Sequence, residues 1–239
     1  MQDFGAMTGV SLPDWALRRA IGRRGTAHPF ADLDPARTAL VVIDLQLGFM
    51  DPSGEYLECA AARDVVPAVN RLAHGLREVG GTVAWIQNTH DDTCLATWTV
   101  QQRMNTPEAN ARRNAAMAPG SRGHALWPDL EVHGDDLVVF KRRYSAFVPG
   151  TCDLAPRLRQ RGIDTVLIAG TLTNVCCDTS ARDAMMMDFR TVMLSDCCGA
   201  MSPEEHNAAL AAFYATFGDV MDTDFVLARL GAGQARSAA

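Results

Sequence analysis

Three side chains in this 239-residue chain stand where an apolar run stops: Asp44 after "ALVVI", Lys141 after "LVVF", and Cys176 in the turn "GTLTNVCC" that follows "TVLIA". An acid, a base and a thiol are the parts of acyl transfer. The thiol attacks a carbonyl carbon, the carboxylate takes the thiol proton and returns it to a leaving nitrogen, and the ammonium balances charge. Each residue alone has a plainer reading. An acid after a strand often caps a helix, a lysine next to Arg142 and Arg143 is usually solvated, and a buried cysteine is usually inert. Their shared position carries the functional reading, because ligands of open parallel sheets bind outside the carboxyl ends of the strands.

Helical phase separates the two adjacent cysteines. With Thr173 or Asn174 as N-cap, Cys177, Ala181, Ala184 and Met185 recur as a core stripe. Cys176 lies about 100° away, in line with Thr179, Ser180 and Asp183, in a first turn where free N–H groups and the helix dipole favour a thiolate. Amides just before and at the helix start are free to bind a developing oxyanion. The chemistry expected is therefore nucleophilic cleavage of an acyl bond at Cys176.

Strands covered on both faces must present these groups. "TALVVIDLQ", "TVAWIQN", "DLVVF", "DTVLIAG" and "TVMLS" are apolar runs of strand length. Between them the pattern predicts helices over Ala60 to Val79, Asp153 to Gln160, from about Asn174, and Pro203 to Phe217, then a short strand and helix from Asp219 to Leu230. This alternation predicts parallel pairing in a three-layer α/β/α sandwich with a mainly parallel, Rossmann-like sheet. Residues 88–135 form an insertion too long for a plain loop, with a helix over Glu108 to Met117, placed to cover a pocket. Residues 1–37 read as an N-terminal arm carrying a short helix from Asp14 to Ile21, suited to packing on a neighbouring subunit. Residues 38–232 form the domain, and 233–239 a flexible tail. "SDCCGA" reads as packing between a strand and a helix, and the arginines of "EANARRN" as a solvated or interface face from which one could hold a substrate carboxylate.

Bulk properties narrow the partners. A net charge of −6 argues against nucleic acid and anionic membranes. The sequence contains neither a spanning stretch nor a secretory pattern, and seven cysteines without a CxxC motif imply free thiols in a reducing compartment, the cytoplasm. A dinucleotide site is disfavoured, since "DLQLGFMDPSG" after the first strand lacks G-x-G-x-x-G.

With these residues assembled, the chain resembles the isochorismatase-like cysteine hydrolases, which include nicotinamidases, N-carbamoylsarcosine amidohydrolase, biuret hydrolases and ureidoacrylate amidohydrolases. The resemblance runs from about Thr38 to Leu230 and is carried by "ALVVIDLQLGFM", "KRRYSAF" and "GTLTNVCCDTSARDAMMMDFRTVMLSD". It implies an Asp44, Lys141 and Cys176 triad, a cis peptide at Thr171-Leu172, and an oxyanion hole from the Leu172 and Cys176 amides. It also implies a homo-oligomer, a dimer or tetramer. Two departures matter. Nicotinamidases hold a metal after the second strand, where this chain has "QNTHDDT". His90 matches one ligand, but Asn88 replaces the acid and no second histidine follows, so no metal and no cofactor are expected. Isochorismatases that cleave a vinyl ether lack the cysteine, so Cys176 points to small amide or ureido C–N bonds, the vinyl ether and a non-catalytic scaffold being the alternatives. Gln46, Phe49, His90, Tyr144 and Phe147 flank the reactive positions and are the candidates to line the pocket.

Overall fold

The structure is a computed structural model describing residues 12–54 and 56–237. The first helix, α1 (Asp14–Arg24), precedes β1 (Thr38–Ile43). Short helices α2 (Leu47–Met50) and α3 (Ala60–Asp64) then lead to α4 (Val66–Glu78) and β2 (Thr82–Asn88). Three short helices follow, α5 (Asp92–Thr97), α6 (Thr99–Arg103) and α7 (Pro107–Ala116), before β3 (Leu137–Lys141). The rest alternates: α8 (Leu154–Gln160), β4 (Thr165–Thr171), α9 (Asp178–Met186), β5 (Arg190–Gly199), α10 (Pro203–Thr216), β6 (Asp219–Met221) and α11 (Thr223–Ser237).

The strands form one parallel sheet in the order β3-β2-β1-β4-β5-β6, with helices on both faces. Full burial of the central strands explains their uninterrupted apolar runs: every residue of β1 and of β4 is buried. Alternate residues feed two cores. Val41, Ile43, Ile86 and Ile168 pack on one face with Cys177, Ala181 and Leu210. Leu40, Val42, Trp85 and Leu167 pack on the other with Leu72 and Leu76.

Several elements differ from expectation. The helix expected over Ala60 to Val79 is broken at Val65, where Pro67 starts a new first turn. The insertion holds three short helices rather than one. β5 runs on to Gly199 and so absorbs all of "SDCCGA" but its last residue, sending Cys198 Sγ toward the Ile168 carbonyl (3.4 Å) and Cys197 Sγ toward Thr223 Oγ1 (3.2 Å). The described part of the arm packs on its own chain: Ala16 meets Ala211 and Ala215, and Arg23 Nη1 donates to the Ala215 carbonyl at 3.0 Å. Residues 1–11 of the arm and 238–239 of the tail lie outside the described residues, and α11 continues through 233–237. Among the described residues no helix is long and apolar enough to cross a membrane.

Candidate active site

The first connection leaves β1 toward β2, and the chain later crosses back to β4 on the other side of β1. That puts the switch point between β1 and β4, where a parallel sheet opens a crevice at its carboxyl edge. Asp44 follows β1, and "GTLTNVCC" closes β4 and turns off its end, so both flank this point. Lys141 ends β3, two strands from Asp44, a span of about 10 Å. A long side chain is needed to cross it. Lys141 Nζ reaches 2.9 Å from Asp44 Oδ2 and 3.6 Å from Cys176 Sγ, and also donates to the Arg143 carbonyl at 3.0 Å. The three expected residues therefore meet at one point.

Local backbone sets this geometry. Asp44 takes a left-handed conformation (φ 56°), which turns the chain off β1 while its N–H donates to the Ile86 carbonyl at 2.9 Å. Gly170 stands opposite Ile43 in the β1–β4 register with φ 115°, and a Cβ there would lie 1.9 Å from the Ile43 carbonyl oxygen. Only glycine lets β4 approach the end of β1 so closely. The Thr171-Leu172 peptide is cis, where the resemblance places it.

The cysteine turn is not the α-helical first turn expected. Thr173–Cys177 form a π turn, in which the Cys177 N–H donates to the Leu172 carbonyl at 3.2 Å. Such turns recur at functional sites. The two thiols still diverge: Cys177 Sγ is fully buried and aims at the Ala169 carbonyl (3.7 Å), away from Lys141. Cys176 is 5% exposed rather than open to a crevice. Ser180, in the same row, is buried beneath it, accepting from the Ala146 N–H at 3.0 Å and donating to the Cys176 carbonyl at 2.6 Å. Ala181 and Ala184 complete the core stripe, but Met185 is turned to the surface.

Burial dominates the electrostatics. It pushes the Cys176 thiol well above its ordinary range against the pull of Lys141, so the resting group is a thiol and not the thiolate that a helix terminus alone would favour. Burial likewise raises the Asp44 carboxyl, opposed by Lys141. Lys141 loses some of its proton affinity to burial but gains more from Asp44 and Cys176, so it stays charged. Neither Asp44 oxygen has a well-aligned hydrogen-bond donor, and the carboxylate is held by the Lys141 charge at 2.9 Å.

The five pocket candidates separate. Gln46 is fully buried with its amide committed: Nε2 donates to the carbonyls of Asn88 (3.2 Å) and His124 (2.9 Å), and Oε1 accepts from the Asn88 N–H (2.7 Å). It ties the end of β1 to the end of β2. Phe147 packs in the core against Phe189 at 5.6 Å. Phe49 is 7% exposed and meets the Tyr56 ring edge-on at 5.7 Å. Tyr144 is exposed and stacks edge-on against Trp98 at 4.8 Å. His90 Nδ1 bonds Asn114 Oδ1 at 2.7 Å, and burial lowers the ring to about 4, so it is neutral. The donors after β2 do not fit a metal centre: Asn88 stands at the acid's position, His90 Nδ1 is engaged, and among the described residues no three His, Cys, Asp or Glu side chains converge.

Sequence reasoning passed over Tyr56 and Trp98, and it left open which arginine of "EANARRN", Arg112 or Arg113, turns from solvent toward a substrate. Burial raises the Tyr56 phenol, and the nearby Arg113 charge opposes that rise. Arg113 is 5% exposed, whereas "EANARRN" reads as a mainly solvated or interface face. Arg112 does face solvent. The apolar pattern of this short helix does not tell one arginine from its neighbour.

Residues 38–225 match the Isochorismatase domain. The chain belongs to the isochorismatase family. It is 32% identical over 235 residues to a ureidoacrylate amidohydrolase of Methylobacterium radiotolerans, covering 90% of each chain. Among solved structures, a cysteine hydrolase from Pseudomonas syringae pv. phaseolicola shares 27% identity at a TM-score of 0.75, over 84% of this chain and 96% of that one. The nicotinamidase of Bacillus subtilis shares 27% identity at a TM-score of 0.65, over 78% and 99%. This isochorismatase-family chain is thus a hydrolase on the parallel sheet that the sequence predicts.

Proposed function

We propose that this protein is a cysteine-dependent amidohydrolase that cleaves a C–N bond of a small amide or ureido substrate through a thioester. One observation carries the reading: a single buried ammonium, Lys141, stands 2.9 Å from a carboxylate and 3.6 Å from a thiol at the switch point of the sheet. Relatives named for ureidoacrylate hydrolysis support the choice of bond.

Because the resting sulfur is protonated, deprotonation and attack are coupled. Asp44 takes the Cys176 proton as the S–C bond forms and the carbonyl electrons move to oxygen. The Leu172 and Cys176 amides receive that oxyanion. As the C–N bond breaks, Asp44 gives its proton to the leaving nitrogen, releasing ammonia or an amine and leaving a thioester. Asp44 then deprotonates a water that attacks the thioester, and collapse of that adduct returns the proton to sulfur. Lys141 remains charged throughout and offsets the negative charge that moves between Asp44, sulfur and oxygen.

Ammonia release from nicotinamide, ureidoacrylate, N-carbamoyl amino acids, biuret, triuret and maleamate, followed by acid quench and peptide mapping, tests the reading. An acyl adduct on the peptide carrying Cys176 is expected. Turnover with an adduct elsewhere, or isochorismate cleavage that persists without the thiol, would overturn it.

A further inference from the structure

Arg113 is a buried charged side chain with no acid to meet it, on the helix that Asn114 holds to His90, one residue past Thr89, whose N–H donates to the Lys141 carbonyl at 2.9 Å. Nη2 donates to Gln101 Oε1, Nε has no partner, and the Tyr56 phenol lies close enough to feel the guanidinium charge. Among the described residues no Asp or Glu pairs with it. A guanidinium taken out of water without a counter-ion is strongly unfavourable, so a fold that keeps one beside a reactive centre leaves the missing charge for a ligand to supply.

The surroundings point the same way. Asn114, next to Arg113 on α7, holds His90 at 2.7 Å, and the His90 N–H donates to the Met117 carbonyl at 2.9 Å; α7 is thereby fastened over the end of β2. Tyr56 comes from the loop after α2: its ring meets Phe49 edge-on, and the Cys59 N–H donates to the Phe49 carbonyl at 2.9 Å, which fixes this loop on α2 just beyond Asp44. The Tyr56 hydroxyl and the Arg113 guanidinium thus form a donor pair beside the triad. Lys141 cannot serve as the anion anchor, because Asp44 and the Arg143 carbonyl already hold it.

We propose that Arg113 and Tyr56 form the specificity-determining pair of this site, and that the substrate is an anionic amide or ureide whose carboxylate pairs with Arg113 while its carbonyl carbon meets Cys176. The inference rests on the amidohydrolase reading and names its substrate class. One planar fork plus one hydroxyl matches a carboxylate, whereas a phosphate would call for more positive charge.

Calorimetric titration of the full chain with malonate, maleate and glutarate, which hold no C–N bond, tests the anion site apart from catalysis. At least one should bind, and Arg113→Met should weaken it about 30-fold. Tyr56→Phe, which keeps the guanidinium if Arg113→Met fails to fold, should weaken it about fivefold. Absence of binding by all three, or unchanged affinity in a folded variant, would overturn the proposal. Failure of the amidohydrolase reading shows separately, as carboxylate binding with an amide turnover that Cys176→Ala leaves intact.

Discussion

Replacing Lys141 by Met keeps the stem that spans β2 and removes only the ammonium. Asp44 then stands fully buried without a counter-charge, and it must either remain ionised in an apolar site or take up a proton. Uptake sets the ceiling on the cost. Holding a carboxyl protonated at pH 7 against an unfolded value of about 3.9 costs about 4 kcal/mol, close to the range found on breaking buried ion pairs. The sign follows from the raised carboxyl. Between the unfolded and folded values the native state binds more protons, so the stability of Lys141→Met should fall as pH rises above about 4, by at most about 1.4 kcal/mol per unit. Denaturant unfolding of the wild type, Lys141→Met, and the Asp44→Asn, Lys141→Met pair between pH 4.5 and 7 gives the numbers. The double variant should recover most of the loss, because a neutral amide leaves no charge to bury. A loss below about 1 kcal/mol at pH 7, or a double variant as unstable as the sum of the single ones, would refute the coupling.

Other consequences follow from the same geometry. Gly170→Ala should lose at least about 3 kcal/mol by chemical denaturation, together with activity, since the added Cβ meets the Ile43 carbonyl and shifts the strand end that carries Asp44. His90, lowered to about 4 by burial, contributes stability that is present above its unfolded value and lost as pH falls toward 4; up to about 3 kcal/mol should disappear on that acid limb, and His90→Gln should flatten it in the same unfolding series. Cys177→Ala should keep kcat/KM within about twofold, at a stability cost of about 1 kcal/mol, because its sulfur points to the Ala169 carbonyl and not to Lys141.

Sequence and structure agree where one physical rule sufficed. Buried parallel strands must be apolar throughout, so β1, β2 and β4 were legible as runs, and the polar residues that end them fell at the carboxyl edge. Helical phase separated Cys176 from Cys177, although the turn that carries them is a π turn: "TNVCC" holds no pattern that distinguishes i−5 from i−4 bonding. Phase also failed for Met185, which reaches the surface, and for the row of Cys176 and Ser180, which is buried where the helical pattern reads it as open, Ser180 being bonded to the Ala146 N–H. β3 is an edge strand, so Val138 and Phe140 are exposed despite an apolar run that reads as fully covered. Burial of Arg113 depends on how Asn114 fastens α7 to His90, a contact between side chains on separate elements. Gln46 shows the converse: it lies two residues from Asp44, yet its amide is spent on backbone groups.

The central claim is that the Cys176 sulfur, flanked by Lys141 and Asp44, makes the covalent bond. Its most direct test is kcat/KM of Cys176→Ala on the best amide or ureido substrate of the panel, with folding verified by the thermal transition. A loss of at least about 10⁴-fold is expected, as for removal of a nucleophile. Hydrolysis within tenfold of the wild type would contradict the account.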